Sequence, residues 1–102
     1  MKLVVAVIRP TKLPDVKDVL LDETVEGFSV TEVMGCGSQS GHTESEKNSA
    51  FETNLLRKIK VEIEVPDKRV RALIGKIAGV CRSGRIGDGK IFVLNVPHTV
   101  SM

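Results

Sequence analysis

From Leu55 to Val65 the chain alternates strictly, with Ile59, Val61, Ile63 and Val65 on one side and Lys58, Lys60, Glu62 and Glu64 on the other. Successive side chains of a β-strand point to opposite faces, so this stretch is a strand with one apolar and one polar face. The rest of the chain has to supply what that strand packs against.

Lys2 to Arg9 (KLVVAVIR) is β-branched and almost wholly apolar, which reads as a central strand buried on both faces, and Pro10 stops it. Between Lys12 and Leu21 the residues Leu13, Val16, Val19 and Leu20 recur at helical spacing, with Pro14 and Asp15 suited to a first turn. Phe28 to Gly35 alternates as a strand after a turn at Gly27. Pro66 and Asp67 open a second helix whose apolar stripe is Val70, Leu73, Ile74, Ile77, Ala78 and Cys81, ended by Arg82-Ser83-Gly84. Lys90 to Val96 is a last strand before Pro97. The order β-α-β-β-α-β predicts a single α+β, ferredoxin-like domain over residues 1–102, with two helices on one face of a four-stranded antiparallel sheet. The other face still carries apolar side chains and has no third layer, which points to a symmetric homo-oligomer, or to a different protein covering it.

Residues 36–54 (CGSQSGHTESEKNSAFETN) have no apolar period and little to bury except Phe51. Structureless loops beyond roughly 12–15 residues are uncommon in small domains and are usually functional or disordered, so this one is expected to be mobile when unbound. A net charge of +2 gives no concentrated basic field for nucleic acid or an anionic membrane. No apolar run near Met1 matches a signal peptide or membrane span, and Cys36 and Cys81 form neither CxxC spacing nor a disulfide framework. A soluble protein of a reducing, cytoplasmic compartment is expected.

Gly84 to Lys90 (GRIGDGK) carries the letters of a phosphate loop, but Ile91 stands where a magnesium-binding Ser or Thr is needed. Its glycines also lead from a helix to a strand, the reverse of a nucleotide-hydrolysing P-loop. What survives is a loop able to present backbone N–H groups to an anion beside Arg85 and Lys90, or else a plain turn. Gly35 to Gly41 is a second glycine-rich exit from a strand. His42 and His98 match no metal-ligand spacing with the cysteines, and Glu44, Glu46 and Glu52 form no fixed pair, so no catalytic constellation emerges. An RNA-recognition domain shares the strand order, but the first and third strands lack the aromatics that stack bases. A small acyl-phosphate hydrolase would find only Arg9 in its favour.

Gly84-Arg85-Ile86-Gly87-Asp88-Gly89-Lys90-Ile91-Phe92-Val93 resembles the carboxyl-side signature of the PII signalling proteins. The likeness runs from Met1 to about Val96 and includes Val30-Thr31-Glu32-Val33, the glycine run Gly35 to Glu44, and Lys60 to Asp67. It implies a ferredoxin-like homotrimer binding adenine nucleotides (ATP, ADP or AMP) between subunits, with residues 36–54 as the family's T-loop and 82–90 as its B-loop. By position, Gly27, Phe28 and Ser29 with the backbone of Glu62, Ile63 and Glu64 would surround the adenine. Gly35, Cys36, Gly37, Ser38 and Gln39 would follow the sugar and phosphates, and Gly87, Asp88, Gly89 and Lys90 would close from an adjoining subunit. A small anionic effector, 2-oxoglutarate in many members, would bind beside ATP-held Mg2+ at Gln39, Ser40, Gly41, Lys58 and Gly87.

The departures from the pattern carry information too. The T-loop tyrosine that is uridylylated or adenylylated in many members is Phe51 here, and the chain has no tyrosine. Ser49 stands where some members are phosphorylated. Ser38, Ser40 and Ser101 replace cationic residues of the family, and its second terminal arginine has no counterpart. Charge-assisted bonds to phosphate contribute roughly 1.5–3 kcal/mol each, so their loss falls hardest on the triphosphate. The resemblance therefore implies a non-enzymatic regulator with weakened preference for ATP that controls a transporter or enzyme through its T-loop. A sensor of bicarbonate plus adenylate, and a structural trimer without ligand, are the alternatives.

Overall fold

A computed structural model of the chain describes residues 1–23, 25, 27–35, 55–85 and 87–102. The T-loop expectations, those for Cys36, Gly37, Ser38, Gln39, Ser40, Gly41, Ser49 and Phe51 included, lie outside the described residues. Six elements follow in order: β1 (Lys2–Ile8), α1 (Leu13–Asp22), β2 (Phe28–Gly35), β3 (Leu56–Val65), α2 (Val70–Cys81) and β4 (Gly89–Asn95). They form an antiparallel sheet of order β2-β3-β1-β4 with both helices on one face, the ferredoxin-like arrangement that the periodicities predict.

Short 3-10 turns at Pro10–Lys12 and Asp67–Arg69 precede the two helices, one more turn than the apolar spacing shows. Each is closed by a backbone bond of 2.9 Å, from Lys12 N to Arg9 O and from Arg69 N to Pro66 O. Proline restrains φ near the helical value and has no N–H to satisfy, so it is tolerated at the head of both turns.

The core lies between sheet and helices. Val4, Ala6 and Ile8 of β1 meet Ile59, Val61, Ile63 and Val65 of β3, under Val16 and Leu20 of α1 and Leu73 and Ile77 of α2, all buried. The register pairs Val4 with Ile63 and Ala6 with Val61, so the apolar rows of both strands share the covered face. The expectation that β1 is buried on both faces holds for one face only. Leu3, Val5 and Val7 are half-buried, and their β4 partners Leu94 and Phe92 are 48% and 51% exposed. The cause is the two-layer architecture, which leaves this face for something outside the chain. Among the described residues no helix is long and apolar enough to cross a membrane.

Candidate ligand-binding site at the two ends of the sheet

At one end, the start of β3, the close of β1 and the loop before β4 converge. Lys58 is the one charged side chain buried among the described residues, at 9% exposure. Its Nζ donates to the Gly87 carbonyl at 2.9 Å, and Arg9 Nε donates to the same oxygen at 3.0 Å. Two cations on one acceptor pin the glycine loop to the ends of β1 and β3. Burial, reinforced by the nearby Arg9 charge and opposed by Asp88, holds the Lys58 ammonium below the usual lysine range.

Asp88 shapes the loop from within. Its carboxylate accepts from Ser83 N at 2.7 Å, Gly84 N at 3.2 Å and the Ser83 hydroxyl, with Arg9 Nη2 3.9 Å away. The Ser83 hydroxyl bond and the Ser83 backbone bond, aided by Gly84 and Arg9 against some desolvation, hold the Asp88 carboxyl below the usual carboxylate range. Gly89 is dictated by its surroundings: with φ at +132°, a Cβ there would stand 2.2 Å from the Val7 carbonyl oxygen. Gly35 closes the same end, its missing Cβ 3.7 Å from the Lys58 Cγ.

At the other end, Gly27, Phe28, Ser29, Glu62 and Glu64 line an open cleft of about 420 Å³ with Leu3 and Val96. Ser29 faces Glu62 in the register. Lys60 Nζ is 3.8 Å from Glu62 Oε1, and the Thr99 hydroxyl donates to Glu64 Oε1 at 3.1 Å, bringing the C-terminal stretch to the cleft. Ile63 turns its fully buried side chain into the core, so Glu62 and Glu64 present the side chains here.

The eight residues of β2 separate the two ends, about 23 Å at strand rise. Within one chain the structure groups Gly35, Lys58, Gly87, Asp88, Gly89 and Lys90 at one end and Gly27, Phe28, Ser29, Glu62 and Glu64 at the other. The resemblance set Gly87–Lys90 and Gly35–Gln39 on different subunits; here Gly35 and Gly87 of one chain already flank Lys58. Sequence reasoning weighed Arg9 only for a hydrolase it set aside, gave Ser83 no role of its own within the 82–90 loop, and gave Leu3, Val96 and Thr99 no part in a binding site. Arg9 could have been found as a cation at the end of a strand that a glycine loop must pass; Ser83 and Asp88 bond across five positions with no periodic signal.

A two-layer ferredoxin-like domain with a cation-bearing glycine loop at one sheet end and an open polar cleft at the other has the build of a ligand-binding regulatory domain. The model of a family described as "Nitrogen regulatory protein P-II" matches residues 1–102. Over 100 residues the chain is 42% identical to the nitrogen regulatory proteins P-II of Rhizobium etli and Rhizobium meliloti, covering 98% of this chain and 89% of each relative. The same figures hold for nitrogen regulatory protein P-II 1 of Escherichia coli K12. The chain belongs to the P-II nitrogen regulatory protein family, whose members are non-enzymatic signal transducers. The likeness carried by Gly84 to Val93 is thereby borne out over the full length.

Proposed function

We propose that this chain is a homotrimeric, cytoplasmic regulator that binds an adenine nucleotide at the seam between subunits and a small anionic effector beside Lys58. The observation that carries the reading is the shared Gly87 carbonyl: Lys58 and Arg9 both donate to it, so the glycine loop and the buried cation move as one unit. The Gly27 cleft of one subunit faces the Gly35–Gly87 end of the next, because a single chain holds the two about 23 Å apart. Effector occupancy selects a conformation of residues 36–54 that a target transporter or enzyme reads.

Mg2+ enters with the triphosphate. With Phe51 at the position of the family's modified tyrosine and no tyrosine in the chain, control runs without tyrosine uridylylation, and Ser49 is the candidate for modification. Replacement of the family's cations by Ser38 and Ser40 favours ADP and AMP relative to ATP.

Calorimetric titration of ATP, ADP and AMP, each with and without 2-oxoglutarate or bicarbonate, tests the reading. Comparable affinities for the three nucleotides, with one anion tightening binding, is the expected result. Bicarbonate in that role assigns the inorganic-carbon variant of the same function. Strong ATP binding with no ADP binding overturns the selectivity, and no binding at millimolar adenylate leaves a structural trimer.

A further inference from the structure

Ser83 and Asp88 close a ring across the glycine loop that the proposed binding roles leave unused. The Ser83 hydroxyl donates to Asp88 Oδ1 and accepts from Arg85 N at 3.3 Å, so it ties the carboxylate to the backbone on the far side of the turn. The carboxylate also accepts from Ser83 N at 2.7 Å and from Gly84 N at 3.2 Å. Gly84 and Gly87, with φ of +83° and +93°, turn the chain back so that position 88 returns to position 83.

The peptide that follows Gly87 is held from its other side. Lys58 Nζ and Arg9 Nε both donate to the Gly87 carbonyl oxygen. That oxygen and the Asp88 N–H belong to one planar, trans peptide, so fixing where the oxygen points sends the N–H the opposite way, away from the two cations. Among the described residues the Asp88 N–H has no acceptor. Bonds to the carbonyl alone leave the peptide plane free to swing about that oxygen, and the tie from Asp88 to Ser83 removes the freedom. An N–H aimed outward from a glycine turn is suited to an oxyanion. The Asp88 charge would oppose one, but its carboxylate is turned toward Ser83 and Gly84 with Arg9 Nη2 3.9 Å away. A plain turn cap would stabilise the loop and leave that N–H without a use. Resting on the nucleotide reading above, we infer that Ser83 is a positioning residue: acting through Asp88, its hydroxyl aims the Asp88 N–H at a phosphate oxygen of the bound nucleotide.

The test compares the full chain with S83A and S83T, each titrated with adenosine and with ADP while the amide resonances are followed. Ser83 is exposed, so neither substitution opens the core. S83A should weaken ADP about tenfold, the scale of one hydrogen bond, and leave adenosine unchanged, because only a phosphate reaches the loop. S83T keeps the hydroxyl and should bind ADP within about threefold of wild type. The Asp88 amide resonance should move on saturation with ADP in wild type and S83T, and less than half as far in S83A. Equal losses for adenosine and ADP in S83A would make Ser83 a fold-stabilising cap and overturn the proposal. Wild-type ADP affinity in S83A, or an S83T variant as weak as S83A, would overturn it as well. Absence of ADP binding by the wild-type chain would overturn the nucleotide reading itself and this inference with it, a result separate from every variant outcome.

Discussion

Gly89 and Gly84 both have positive φ, yet their substitutions should differ because their surroundings differ. Alanine at Gly84 meets open space and bears only the left-handed backbone strain, about 1 kcal/mol. Alanine at Gly89 adds a collision with the Val7 carbonyl, and forcing β1 and β4 apart should bring the loss to about 3 kcal/mol or more. Urea unfolding of the two variants at equal protein concentration compares them directly. Lys58 makes a second prediction at this scale. Its folded pKa lies below the ordinary 10.5, so the unfolded chain holds the proton more tightly and stability rises with pH between the folded value and 10.5. The stability difference between wild type and K58M should therefore shift toward wild type across that alkaline window. K58M should also lose roughly 10- to 150-fold in affinity for the anionic effector, the equivalent of one charge-assisted bond of about 1.5–3 kcal/mol.

Elements are tied together by charges that no periodic pattern reveals. Glu23, just past α1, accepts from Arg69 Nη2 at 3.1 Å and from Lys76 of α2, while Arg69 also donates to the Glu23 carbonyl at 2.5 Å. The Lys76 and Arg69 bonds, against a smaller desolvation effect, hold the Glu23 carboxyl below its ordinary 4.5. A depressed carboxylate contributes stability above the unfolded value and loses it as pH falls through the folded one. Wild type should thus lose more stability than E23Q on acidification below pH 4.5, as read by thermal midpoints along a pH series. The same contrast explains what was legible from the chain alone. β3 lies where its alternation puts it, because Ile59, Val61, Ile63 and Val65 face the core, whereas β2, at the sheet edge, has the predicted span with no residue fully buried. The outward row of β1 looks like core in sequence because Leu3, Val5 and Val7 are apolar, yet their cover is not part of this chain. Arg9 and Gly87 meet across 78 positions and Glu23 and Lys76 across 53, so only the folded sheet brings them together. The chemistry of the glycine loop could be read from its backbone as a proposal, but its clasp to Lys58 could not, since a lysine on the polar row of β3 looks solvated.

At the scale of the molecule, the uncovered sheet face and the proposed two-subunit ligand site call for the same partner. Lys58, Lys60 and Lys90 stand toward one end of that face and Glu62 and Glu64 toward the other, with Val5, Phe92 and Leu94 between. Copies set head to tail place the acidic end, which carries the Gly27 cleft, against the basic end, which carries the Gly35–Gly87 loop. A heterologous contact of this kind closes into a ring when the rotation allows. F92D puts a carboxylate into the apolar centre of the contact while leaving the helix-covered core untouched. It should sediment as a monomer at micromolar concentration with an unchanged far-ultraviolet spectrum, and lose at least tenfold in adenylate affinity. Loss of both properties together is the signature of a site built from two chains. A monomeric F92D that binds adenylate at full strength would place the whole nucleotide site within one chain, against the strand-length separation of its two halves.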